Sequence, residues 1–87
     1  MQQNKLLEIC KGALQDLKVS SELLENPTIV VLKGSSKHLK SFQLVLFLME
    51  IESKIEDLEI EVDLFNLADS MGDELTLGEL IDKLSTI

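Results

Sequence analysis

Residues 34–52 read "GSSKHLKSFQLVLFLMEIE". Ser35, Ser36 and Ser41, two lysines and the one histidine of the chain stand ahead of a run that is almost wholly apolar. Gly34-Ser35-Ser36 interrupts whatever precedes it. Phe42, Leu44, Val45, Leu46, Phe47, Leu48, Met49 and Ile51 then cover most of a helical circumference and are not confined to one stripe. A helix over about Leu39 to Asp57 with that coverage is either central to its domain or has a second face that meets a partner. The serines ahead of it are either a polar lead-in to a core helix or a place for covalent chemistry.

Upstream, Leu6, Ile9, Cys10, Ala13, Leu14 and Leu17 recur at three- and four-residue spacing, which predicts a first helix from about Gln3 to Lys18. Gly12 weakens it by about 1 kcal/mol relative to Ala and leaves room for a close neighbour. Ser20, Ser21, Asn26 and Pro27 mark a long loop, and "TIVVL" (Thr28 to Leu32) has strand propensity. Downstream, "DLEIEVDL" alternates acidic residues with Leu58, Ile60, Val62 and Leu64, as extended chain or a weak strand. Asp63 to Asp69 fits a short helix ended by Ser70, Gly72 and Asp73. Thr76 is a good N-cap, Glu79 completes a capping box, and Leu77, Leu80, Ile81 and Leu84 form the buried side of a last helix.

Two architectures fit this order. If both extended stretches are strands, the helix between them makes a β-α-β unit with a parallel pair. If both are loops pinned to the core by apolar residues, the chain is a small all-α bundle. The first leaves a two-stranded sheet with exposed edges, which is marginal, and the pattern favours the bundle.

With 87 residues the chain is read as a single domain, 1–87, near the lower size limit for folding on a hydrophobic core alone. Lacking Trp and Tyr, that core must be aliphatic. A lone cysteine excludes an internal disulfide framework and points to the cytoplasm; Cys10 falls on the apolar side of the first helix as an inert core residue. No signal peptide or membrane span is expected from "MQQNKLLEIC" or from the short run "LVLFLM". Residues 1–49 carry six Lys and four acids (+2), and residues 50–87 carry two Lys and twelve acids (−10), giving the net −8. That distribution disfavours nucleic acid and suits basic protein surfaces, or serves solubility alone. The acidic run Glu56 to Asp63 lacks the glycine and ligand spacing of an EF-hand, so no metal site is expected. His38 has no partner at a spacing that makes a catalytic constellation, and reads as an exposed entry residue or, with Lys37 and Lys40, as a phosphate contact.

The element order and the final "TLGELIDKL" resemble acyl carrier proteins. The local likeness is closer: Gly34, Ser35, Leu39, Ser41, Leu44, Val45, Leu48, Ile51 and Glu52 coincide, without gaps, with a family pattern close to G-S-x-x-x-L-D-S-L-x-L-V-x-x-L-x-x-I-E. The resemblance implies a four-helix bundle with a long loop between its first two helices. It also implies a covalent 4′-phosphopantetheine on Ser41, carrying acyl-type intermediates as thioesters. Leu44, Phe47, Leu48 and Ile51 would divide between the core and an acyl-chain cavity. The implied partners are a phosphopantetheinyl transferase and acyl-transferring or acyl-activating enzymes, and the implied protein is a monomer that catalyses nothing itself.

Two positions depart from the family. Lys40 stands where carriers have Asp, and Phe42 where they have Leu. Asp caps the helix and complements its dipole, whereas Lys does neither. Ser36 and Ser35 are weaker alternatives for attachment, and a shifted alignment leaves no attachment residue at all. The rival reading is therefore a carrier fold without the arm, acting as a protein-interaction module through the second helix.

Overall fold

The N-terminal apolar stripe forms α1 (Gln3–Asp16), with Leu6, Cys10, Ala13 and Leu14 buried. The computed structural model describes residues 2–35 and 37–86. α1 stops before the expected Lys18, because Lys18 takes a left-handed conformation (φ 59°) that ends the helix. A Cβ at Gly12 would stand in open space, so the close neighbour expected there is absent. The glycine required by packing is Gly78, where a Cβ would lie 3.1 Å from the Thr28 carbonyl oxygen.

The long loop contains more structure than its composition implied. It holds α2 (Ser21–Glu25), a 3-10 turn (Pro27–Ile29) and the strand β1 (Val31–Lys33). β1 pairs antiparallel with β2 (Leu75–Thr76), Val31 facing Thr76 and Lys33 facing Leu75. The strand propensity of "TIVVL" is thus realised only at its end, and with a partner other than "LEIEV". Residues 60–63 have no regular structure, and Ile60 and Val62 lie half-buried against the core. A parallel β-α-β unit is therefore ruled out. The sheet is tolerable despite its size because Leu32 and Leu75, one from each strand, are both buried.

The central helix α3 (Ser41–Glu56) buries Phe47, Leu48, Ile51 and Ile55 and packs on α1. It begins two residues later than the apolar pattern implied, since Lys40 is extended (φ −70°, ψ 162°) and Leu39 is buried in the approach. α3 also packs on α4 (Leu64–Ser70), which is held at both ends. The Asp63 carboxylate accepts from the Asn66 N–H at 3.2 Å, the Glu52 carboxylate accepts from the Leu64 N–H at 3.1 Å, and the Lys33 ammonium donates to the Ala68 carbonyl. In α5 (Leu77–Leu84), Thr76 Oγ1 accepts from the Glu79 N–H at 3.2 Å, and Glu79 Oε1 accepts from the Thr76 N–H at 3.0 Å. The four residues expected on its inner side are all buried.

The described chain is thus mostly helical, with five helices and one two-stranded sheet around a single cluster of buried residues. The expectation of a mostly helical chain holds, whereas α2 and the two-stranded sheet were not expected. No helix among the described residues is long and apolar enough to cross a membrane.

Candidate functional site

Ser41 is the first residue of α3, the longest helix of the chain, and is exposed to solvent. Lys40 occupies the cap position, and its ammonium, having only protons to donate, supplies no acceptor to the first turn. Gln43 makes the reciprocal half of the cap, its Oε1 accepting the Lys40 N–H at 2.9 Å. The start of α3 thus keeps the positive end of its dipole uncompensated by any side-chain anion from Lys40.

Lys37 lies one turn before Ser41, and its ammonium donates to the Ser41 hydroxyl at 3.4 Å. Ser41 and Lys37 stand on the rim of a surface pocket of about 360 Å³, with Leu32, Leu39, Leu44 and Val45 as its apolar lining. The arrangement is an exposed hydroxyl, able to act as a nucleophile, with a cation and a helix N-terminus beside it and an apolar recess next to it. Of the residues expected to divide between core and cavity, Phe47, Leu48 and Ile51 belong to the core. Leu44, half-buried, lines the pocket.

The other candidates sit elsewhere. Ser35 is exposed in the turn after β1, beside Gly34, whose φ of 127° produces that turn. Ser36 lies outside the described residues. His38 is exposed, but its ring is engaged: Nδ1 accepts the Val31 N–H at 2.9 Å, while the backbone N–H of His38 donates to the Val31 carbonyl at 2.9 Å. The histidine therefore ties the approach to α3 onto β1, and the Nδ1 lone pair is not free for a ligand. This role was not legible in the sequence, because it depends on a chain reversal at Gly34.

Cys10 is fully buried, and burial pushes its thiol up to about 12. The acidic run lines a separate cleft of about 840 Å³ at the far end of α3, formed by Glu52, Glu56, Glu59, Glu61 and Asp63 with Ile60 and Val62. Among the described residues no group of three or more His, Cys, Asp or Glu could hold a metal ion. Glu50, on α3, has its carboxyl raised, first by a hydrogen bond with Asp16 of α1, then by desolvation and by the Asp16 charge.

The second face that the sequence allowed for this helix, without showing which residues form it, is an exposed apolar row on α3: Phe42, Val45, Leu46 and Met49. Its three- and four-residue spacing is present in the sequence, but apolar residues on the other sides of the helix mask it.

No protein-family model matches the chain, and no curated protein or solved structure shows significant similarity to it.

Proposed function

We propose that the chain is a carrier protein, holding acyl-type intermediates as thioesters on a 4′-phosphopantetheine arm attached to Ser41. In this reading α1, α3, α4 and α5 are the four helices of a carrier-type bundle, and α2 and the small sheet elaborate its long first loop. The observation that supports it most is the setting of Ser41: an exposed hydroxyl at the first position of α3, with Lys37 at 3.4 Å and the apolar pocket alongside. Attachment would form a phosphodiester on Ser41 Oγ, leaving 3′,5′-ADP from coenzyme A. The new anion would lie by the Lys37 ammonium and the positive end of the helix. The partners are a phosphopantetheinyl transferase and the enzymes that load and unload the thiol. The carrier supplies only the acceptor groups, the Ser41 hydroxyl and then the thiol of the arm, and the catalysis belongs to those partners.

The exposed row Phe42, Val45, Leu46 and Met49, together with Lys40 in the cap position, favours one second reading. In it the chain keeps the carrier fold without the arm and serves as an interaction module. Incubation with coenzyme A, Mg²⁺ and a broad-specificity transferase, followed by intact mass measurement, separates the two. The carrier reading expects a gain of one phosphopantetheine that is lost in Ser41→Ala and retained in Ser36→Ala. A gain that persists in Ser41→Ala would place the arm elsewhere and overturn the assignment of Ser41.

A further inference from the structure

Apolar exposure on α3 is concentrated on one face. Phe42 is 61% exposed, Val45 44%, Leu46 49% and Met49 55%. At i, i+3, i+4 and i+7 these residues form one continuous row, on the side of the helix away from Phe47, Ile51 and Ile55. Four adjacent large apolar side chains make a patch, in contrast to the scattered single exposures that need no explanation.

The charges bordering this row are polarised along the helix. Lys37 is exposed at its beginning, beside Val45 on the pocket that both line. Glu52 and Glu56, at seven and eleven residues from Val45, fall at its end on the Val45 edge of the row. The helix dipole runs in the same sense, positive at Ser41 and negative at Glu56. Lys54 lies on the opposite flank, where its charge acts on Glu50. A basic partner would suit the acidic end of this face but not Lys37. A surface with the same polarity, reversed in direction, suits both ends.

We propose that the occupant is a second copy of this chain, with the two α3 helices antiparallel about a two-fold axis. The axis passes between Val45 and Leu46, midway along the row. Phe42 of each copy then meets Met49 of the other, and the Val45 edges face each other, as two-fold symmetry requires. Lys37 of each copy comes level with the end of the other α3 and reaches the Glu56 carboxylate. A single helix row buries less than a standard interface of about 1,600 Å², so the dimer is weak and exchangeable. A partner enzyme can therefore displace it. Nothing in this association requires Ser41 to carry an arm, and it replaces the monomer that the family resemblance implied.

Sedimentation equilibrium of the whole chain over about 10 μM to 1 mM tests it. The weight-average mass is expected to rise from 9.7 kDa towards twice that value. Leu46→Lys, at an exposed helical position, should keep the helical circular dichroism and remain monomeric throughout. Lys37→Glu should weaken association about tenfold, and Lys37→Glu combined with Glu56→Lys should restore it. A chain that stays monomeric at the highest concentration overturns the proposal and leaves the face to a different protein. A dimer indifferent to Leu46→Lys, or a double variant no tighter than Lys37→Glu alone, overturns it as well.

Discussion

At the scale of single residues, His38 and Cys10 show opposite uses of polar chemistry. His38 supplies the acceptor for the Val31 N–H, so His38→Ala leaves that amide without its ring partner. The expected cost is about 1 kcal/mol, read as a lower urea midpoint with an unchanged slope; a midpoint equal to that of the parent would show that solvent replaces the ring at no cost. Cys10 is apolar in effect. Its folded-state pKa, about 12, stands above the reference value of 9.0, so folding favours the neutral thiol. The stabilisation is present in full below pH 9 and is lost as pH rises towards 12. Urea titrations across that window should show a fall in stability that is shallower in Cys10→Ala. An identical fall in both proteins would mean that the thiol stays protonated or is not buried.

Single elements differ in how far their causes lie along the chain, and that decides how legible they were. α5 could be read almost completely, because Thr76, Glu79 and the four leucine and isoleucine positions all act within nine residues. α2 was missed although Ser20, Leu23 and Leu24 carry a short helical signal, since the flanking serines and Asn26-Pro27 also read as loop. β1 was half legible: the propensity lies in "TIVVL", but the partner is a two-residue strand more than forty positions away. The alternation in "LEIEV" misled for a related reason. Ile60 and Val62 do face the core, yet an apolar pin and a strand leave the same two-residue period. At α3, the apolar pattern placed the helix start near Leu39, two residues early, and only the family resemblance put Ser41 at the start; the Lys37 contact and the pocket need the folded approach through Leu39. The weak cap of α3 has its own consequence. Lys40→Asp introduces an acceptor and the favourable dipole charge, and should stabilise the protein by about 1 kcal/mol, seen as a thermal midpoint several degrees higher. An unchanged or lower midpoint would mean that Gln43 already satisfies the helix start.

For the whole molecule, charge and fold divide the surface along α3. The start of that helix is basic, with Lys37 and Lys40 beside Ser41, and its end opens on the acidic cleft of Glu52, Glu56, Glu59 and Glu61. With sixteen helical residues between them, the two ends are about 24 Å apart. An arm rooted at Ser41 would thus leave from the basic end, the length of α3 away from the acidic cleft. A carrier role for Ser41 depends on whether that arm exists. The most direct measurement is the intact mass of the protein purified from its own host, with the modified residue located by fragmentation. The carrier reading predicts at least part of the protein bearing one phosphopantetheine, on Ser41. Protein that is wholly unmodified, or modified at another residue, would contradict it.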